Sequence, residues 1–290
     1  MSIDTTKSSA VSLPSRRQFL RNALATSCVF AGCLEYSYAY EANDLEVVHV
    51  NVPVSGKHSS AVGLRMGQLS DMHCDSEGAI RRTERAVRLL LAEKPDVVFL
   101  TGDYITTRPQ YWAPKCAAAL APLISVPGGA YAVMGNHDWG PWMDPDRAAL
   151  IAACLSEVGI TVLRNASRRI AGTSDCWVVG LDDLCFDQQD AQAALVGVPE
   201  SAVKILLVHE PDYADQSPPG FALQLSGHSH GGQMRIPGLP PMHLPPFAAK
   251  YYEGLNQSRS HLVYTSRGVG TVGLPLRTFC RPEVTVVTLS

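Results

Sequence analysis

Long apolar runs are missing from this 290-residue chain, although 46% of it is hydrophobic. The most lipid-like stretch, from Ala23 to Leu34, is too short and too polar for a good membrane-spanning helix, which needs about 20 apolar residues. Paired cysteines are missing as well. Cys28 and Cys33 lie near the N-terminus, and Cys74, Cys116, Cys154, Cys176, Cys185 and Cys280 are scattered without C-x-x-C spacing. A zinc ribbon or a dithiol redox pair is therefore excluded as the organising chemistry, and buried thiols are the expectation. Positive charge is also scarce. The formal charge is −3, and the first 39 residues hold Lys7, Arg16, Arg17 and Arg21 against Asp4 and Glu35, so the remainder carries −5. A mildly acidic body is not built to grip a nucleic-acid backbone, and no nucleic-acid partner is expected. With no long internal repeat and no linker-like composition, the length fits one large α/β domain.

What is present begins with an address. Ser15-Arg16-Arg17-Gln18-Phe19-Leu20 precedes the mildly apolar stretch, and Ser37-Tyr38-Ala39 puts small residues where a signal peptidase inspects the chain. The pattern resembles a twin-arginine export signal, with Arg21 where lysine is more usual. Residues 1–39 are expected to be that signal, residues 40–59 a lead-in, and 60–290 the domain. The resemblance implies engagement with the twin-arginine export machinery and a place in the periplasm or on the outer face of the cytoplasmic membrane. Phe30-Ala31-Gly32-Cys33 also resembles an imperfect lipobox, which leaves lipid anchoring as an alternative to cleavage.

After a strand-like run near Val47 to Val52, a repeating pattern starts. Leu64 to Leu69 reads as a strand. Ile80, Val87, Leu90 and Leu91 share one face of a helix that carries Arg81, Arg82, Glu84, Arg85 and Arg88 elsewhere, and Pro95 closes it. Val97-Val98-Phe99-Leu100 is a fully apolar strand, a helix follows from Ala117 to Leu123, and Ala130 to Met134 is a strand again. Asp144-Pro145 caps a helix that runs to Val158. This alternation is the signature of parallel sheet construction. From Ile160 the elements shorten (Thr161 to Leu163, Arg168 to Ile170, Trp177 to Val179), which points to a second, more antiparallel sheet. Val203 to Val208, Phe221 to Leu225, a strand at Tyr264 and Val284 to Leu289 complete the pattern.

The strand ends hold the chemistry. Asp71 and His73 follow the first strand of the pattern, Asp103 the second, Asn136, His137 and Asp138 the third; His209, and then His228 and His230, follow two later ones. Open α/β sheets keep their ligands at that edge. Mixed oxygen and imidazole donors suit Mn, Fe or Zn better than Mg or Ca. Seven ligands are too many for one tetrahedral ion and about right for two ions sharing a carboxylate. In Asp-x-His and His-x-His, residues i and i+2 share a face of a strand, so each pair is expected to converge.

Asp71-x-His73, Gly102-Asp103, Gly135-Asn136-His137-Asp138, His209 and Gly227-His228-Ser229-His230 resemble, in order and spacing, the calcineurin-like metallophosphoesterases. His228 to Gln233, Tyr264 to Gly270, Arg277 and Pro282-Glu283 are similar to the exported bacterial phosphodiesterase group within that superfamily. The resemblance spans roughly residues 60 to 290. It implies a four-layer α-β-β-α sandwich of two mixed sheets, and two divalent ions, with Mn favoured. By the same resemblance Asp71, His73, Asp103 and His230 hold one metal, and Asp103 bridges to a second held by Asn136, His209 and His228. His137 is left to act on the substrate as an acid, with Asp138 orienting its ring.

With a bridging hydroxide as nucleophile, such a core keeps a charge of about +1, which attracts a phosphate oxygen; neutral Asn136 preserves that surplus. Thr106 stands where purple acid phosphatases place a metal-binding tyrosine, which argues against that branch and makes Tyr104 a packing or substrate-facing aromatic. The expected activity is phosphodiester hydrolysis. The alternatives are a hydrolase of UDP-2,3-diacylglucosamine type acting on a lipid-linked pyrophosphate, and a non-catalytic scaffold. His49, His58, His243 and His261 are expected to be structural or surface histidines, and Glu210 and Asp212 to shape a turn. Arg267 and Arg277 are candidates for a substrate phosphate or for salt bridges. The loop from Ile236 to Phe247 reads as a proline-braced connection. Its Leu239, Met242, Leu244 and Phe247 leave open an apolar lip that meets an acyl chain or a membrane.

Overall fold

The computed structural model describes residues 15–54, 56, 61–173 and 175–290. In chain order the strands are β1 (Glu46–Val52), β2 (Arg65–Leu69), β3 (Val97–Thr101), β4 (Ala130–Val133), β5 (Thr161–Val162), β6 (Ala166–Arg169), β7 (Cys176–Gly180), β8 (Val203–Leu207), β9 (Leu223–Ser226), β10 (Gly254–Gln257), β11 (Leu262–Thr265) and β12 (Glu283–Leu289). They form two mixed six-stranded sheets, ordered β1-β12-β2-β3-β4-β5 and β10-β11-β9-β8-β7-β6. The helices are α1 (Arg16–Glu35), α2 (Glu77–Ala92), α3 (Pro109–Leu120), α4 (Asn136–Trp139), α5 (Pro145–Glu157) and α6 (Ala191–Ala194).

The layering follows from alternation along each strand. In β3, Val97 and Phe99 face the second sheet while Val98 and Leu100 face α2, α3 and α5. Both faces of the strand are covered, which is why it reads as an unbroken apolar run. Met66, Tyr131 and Val133 join Phe99 against Ile205, Leu207 and Leu225 in the core between the sheets. The outer face of the second sheet is covered more thinly, by Leu184, Ala194 of α6, Tyr213 and Phe221. The expected four layers are present, with the last reduced to α6 and a 3₁₀ turn at Pro211–Asp215.

Two expectations need correcting. The segment set apart as a lead-in contributes β1, which pairs in parallel with β12 from Glu46–Glu283 to Val52–Leu289, so the sheet starts well before residue 60. The helix expected from Ala117 starts eight residues earlier, at Pro109, because proline is tolerated in a first turn. At the N-terminus, the Ser15 hydroxyl accepts from the Gln18 N–H to cap α1, whose described residues lie exposed. Among the described residues no helix is long and apolar enough to cross a membrane. The chain then docks on the domain: buried Ser37 lies 2.9 Å from the Thr278 hydroxyl, and Glu41 accepts from the Cys280 N–H.

Neither arginine singled out for phosphate is free to hold one. Arg267 is paired with Glu283 at 2.6 Å and with Glu46 at 2.9 Å. Arg277 is fully buried and donates to the carbonyls of Arg267, Gly268, Gly270 and Cys280. It thereby stiffens a strap whose Val269 and Gly270 N–H groups bond to the carbonyls of Ser70 and Asp71. Replacing Arg277 with Met leaves four carbonyls short of a charged donor and is expected to cost about 3 kcal/mol or more. The check is a urea midpoint; an unchanged midpoint with a raised KM would return Arg277 to substrate binding.

Candidate metal centre

The ligand candidates lie past the strands rather than on them. β2 ends at Leu69, β3 at Thr101 and β9 at Ser226. Asp71, His73, Asp103, His228 and His230 all have positive φ, between 44° and 69°. Convergence of i and i+2 therefore comes from left-handed turns and not, as expected, from the pleat of a strand. Each such turn costs a non-glycine residue about 1–2 kcal/mol. Two glycines make room for it. A Cβ on Gly227 would collide with the Ser70 hydroxyl and the Asp71 carboxylate, and one on Gly135 with the Asp103 carboxylate.

The result is two buried groups that share Asp103. Asp71, His73, Asp103 and His230 form one, and Asp103, His209 and His228 the other. In the first, His73 Nε2 lies 3.0 Å from His230 Nε2 and 3.6 Å from Asp103 Oδ2, and His230 Nε2 is 3.4 Å from Asp71 Oδ1. In the second, His209 Nε2 is 3.2 Å from the same Asp103 Oδ2. Asn136 lines the adjoining cavity with Asp103, His137 and His228, and its buried Oδ1 has no hydrogen-bond partner.

Outer contacts fix which ring nitrogen faces inward. His209 Nδ1–H donates to the Thr101 carbonyl at 2.6 Å and leaves Nε2 for the centre. His228 Nε2–H donates to the Pro246 carbonyl at 2.9 Å and leaves Nδ1. His73 Nδ1 lies 2.7 Å from the Thr106 hydroxyl, so the residue that breaks the purple acid phosphatase pattern braces a ligand here. Contacts of this kind orient metal-binding imidazoles.

Electrostatics agree with a cation site. Burial lowers His73 to about 3, and it lowers His228 and His230 too, so all three are neutral with a lone pair available. Burial, reinforced by Asp103, raises Asp71 to about 6. Burial alone would lower His209, but the Asp103 and Asp71 carboxylates outweigh it and raise it, so this corner favours positive charge. Deep oxygen and imidazole donors, with Asn136 Oδ1 orphaned, fit two divalent ions.

Several other residues can be placed, some of them differently from expectation. Asp138 does not orient the His137 ring. Its two oxygens accept from the N–H groups of Asp103, Tyr104, Ile105 and Gly135, because a turn that reverses between two strands leaves donors that a buried carboxylate can collect. Tyr104 is a packing residue, fully buried and donating to the Val133 carbonyl. Glu210 reaches back to the Leu184 N–H rather than shaping its own turn, and Asp212 accepts from the N–H groups of Ala249, Lys250 and Tyr251, tying down the end of the proline-braced loop. His49 pairs with Glu93, and His261 is buried against Gln224 and Ser260. His58 falls outside the described residues. His243 is exposed, in line with a surface histidine, but it stands on the loop that walls the cavity, which His137 and Asn136 also line. Its one signal was its position on the loop that follows the last ligands.

Asp138→Asn keeps the volume but loses an acceptor, so the Asp103 turn loosens. Metal affinity is expected to fall about 10- to 100-fold, measured by metal content after dialysis against a graded chelator. If metal stays and only the pH profile of turnover changes, Asp138 serves His137 after all.

A family model described as calcineurin-like phosphoesterase matches residues 64–232. The chain is 33% identical to the metallophosphoesterase YkuE of Bacillus subtilis strain 168, covering 95% of this chain and 97% of that one. It is 30% identical to the phosphodiesterase YaeI of Escherichia coli K12, covering 95% and 99%. It is also 26% identical to the UDP-2,3-diacylglucosamine pyrophosphatase LpxG of Chlamydia trachomatis, covering 90% and 94%. With its buried aspartate and histidine cluster and these likenesses, the chain belongs to the calcineurin-like phosphoesterase family and is a hydrolase of phosphoester bonds.

Proposed function

We propose that the chain is a dinuclear-metal phosphodiesterase, and the observation that carries this is the single carboxylate oxygen, Asp103 Oδ2, shared between two buried ligand groups. One site would be held by Asp71, His73, Asp103 and His230, the other by Asp103, Asn136, His209 and His228. When bound there, two divalent ions of manganese, iron or zinc supply an acidified water as nucleophile and a positive surplus for the phosphoryl oxygens.

His137 is the group left over for proton work. Its N–H donates to Asp103 Oδ1 at 2.9 Å, which fixes the backbone. Its ring stands edge-on to His73 with centroids 5.0 Å apart, half-buried and lining the cavity. From there it can hand a proton to the departing alkoxide, a role worth about 10²- to 10⁴-fold. His243 faces the same space and is a second group within reach of the leaving side.

An observation favours a second reading, hydrolysis of a lipid-linked pyrophosphate. Met234 and Leu274 line the cavity, and Leu239 and Met242 stand 59% and 71% exposed on the loop above it. An apolar rim of this sort suits an acyl chain, and LpxG, by its name, acts on an acylated substrate. Its position beside the metals leaves membrane contact as part of this reading.

The test is to strip the protein of metal and restore Mn, Fe, Zn or Mg separately, with a chromogenic phosphodiester, its monoester and an acylated diphosphate as substrates. Metal-restored turnover favouring the diester is expected, and His137→Ala should lower it about 10²- to 10⁴-fold with metal content intact. Equal loss of metal would make His137 a ligand, and preference for the acylated diphosphate would install the second reading. We further propose export by the twin-arginine route to the periplasm or the outer face of the cytoplasmic membrane, supported by Arg16 and Arg17 standing exposed at the start of α1. Replacing both with lysine should leave the protein in the cytoplasm on fractionation; normal export of that variant would sink the idea.

A further inference from the structure

Beside the metal centre, and outside the ligand set, lies a larger cavity of about 750 Å³. One wall is α2, carrying Arg81, Arg82 and Arg85; the others are Thr271 to Gly273 and the docked chain at Ala42 and Asn43, joined by Tyr38 and Ala39 from the end of the expected signal segment. His73 and Thr106, which braces the His73 Nδ1, also line it, so the cavity borders the first ligand group at His73. Arg81 and Arg85 stand exposed at its edge and Arg82 is half-buried, so a solvated helix face is the plain reading.

Three features say otherwise. Among the described residues none of the three guanidiniums has a carboxylate partner, whereas Arg164, Arg235 and Arg267 elsewhere in the fold each have one. Arg82 is only partly exposed, yet its buried Nε has no hydrogen-bond partner, and its nearest polar contact is Asn43 Oδ1 at 3.4 Å. The acid that lines the same cavity, Asp75, is spent on the N–H groups of Thr106 and Thr107 and neutralises nothing in the cleft. Like charges at i and i+4, as in Arg81 and Arg85, also cost a helix a few tenths of a kcal/mol. Arg85 donates to the Asn43 carbonyl at 3.0 Å. A half-buried guanidinium with no carboxylate partner, beside two exposed cations, is an arrangement that an anion completes.

We propose that this cleft is a subsite for a second phosphate of the substrate, held by Arg82 and Arg85 with Arg81 at the mouth, while the reacting phosphoryl group sits at the metals. The inference rests on the phosphoesterase reading and deepens it: the preferred substrates carry two phosphates, joined in a diphosphate or separated along the molecule. The concave shape takes a small anion rather than the flat surface of a bilayer. Guanidinium forks match phosphate oxygens two at a time, so the subsite discriminates by charge and geometry together.

The experiment uses the full chain loaded with metal. Inorganic pyrophosphate and inorganic phosphate are titrated by calorimetry into the wild type, the double variant Arg82→Gln/Arg85→Gln, and Arg85→Lys. The expected result is that the wild type binds pyrophosphate at least tenfold more tightly than phosphate, that the double variant erases this margin, and that Arg85→Lys keeps most of it. Equal weakening of both anions would show that the arginines only latch the N-terminal segment through Asn43, and would overturn the proposal, as would a margin untouched by the substitutions. Turnover then separates the two sources of a second phosphate. The kcat/KM of a sugar nucleotide diphosphate and of a thymidine dinucleotide with a terminal phosphate are each compared with that of bis-p-nitrophenyl phosphate. The ratio that falls tenfold or more in the double variant names the source, and a fall in neither overturns the subsite. If the wild type turns over nothing while the pyrophosphate margin holds, the phosphodiesterase reading fails and the subsite stands.

Discussion

Everything in this fold that bears on chemistry converges on the Asp103 carboxylate. One of its oxygens faces His73 and His209 from opposite groups, and the other accepts the His137 N–H. The turn that carries it is held by Asp138, through the N–H groups of residues 103 to 105. Packing this many carboxylates and imidazoles together out of water costs several kcal/mol unless positive charge is placed among them. A raised His209 and a lowered Asp103 are two faces of that demand. Folding and metal loading are accordingly linked.

The strained turns at the centre persist because the sheet goes on pairing past its own strands. The Asp71 N–H bonds to the Gly102 carbonyl, His73 to Asp103, Cys74 to Tyr104, and Gly227 to His209. Five left-handed residues would together cost about 5–10 kcal/mol in an isolated chain. Here each backbone is tied to a neighbouring turn or to the strap stiffened by Arg277, so none can relax alone. The same ties hold ligand atoms from separate strand ends within 4.8 Å of one another.

Much of this was legible in the residues. Apolar runs such as Val97 to Leu100 are unbroken because both faces are covered, and polar clusters at their ends stand out against them. The motifs marked the strand ends that carry Asp71, His73, Asp103, His209, His228 and His230, while their division around Asp103 came from the family resemblance. What failed were contacts between segments distant in sequence. Asp138 sits next to His137 in the chain, but its oxygens find donors more than 30 residues away. Arg277 read as a phosphate ligand or a salt-bridge partner, and only the fold reveals four carbonyls aimed at it. β1 was seen as a strand yet set outside the domain, because nothing local marks a partner at the other end of the chain.

The arginines of α2 show the same limit from the opposite side. On a helical wheel they belong to the face away from Ile80, Val87 and Leu90, which is ordinarily bathed in water. Tyr38, Ala39, Ala42 and Asn43 stand across from that face, so the cations border a cavity, with Arg81 and Arg85 still exposed to water. Val272 lies between this cavity and the one beneath the apolar loop, and lines both. Gln233 fixes the divider: its amide donates to the Val272 and Leu274 carbonyls and accepts from the Val272 N–H. The metal centre therefore borders two cavities of different character, one lined by the cations of α2 and one that includes Met234 and Leu274 beneath the loop of Leu239 and Met242. A molecule long enough to fill both must carry its charge on one side of the reacting phosphorus and its apolar part on the other. That asymmetry constrains the substrate more tightly than the metal ligands do, because the ligands recognise only the phosphoryl group.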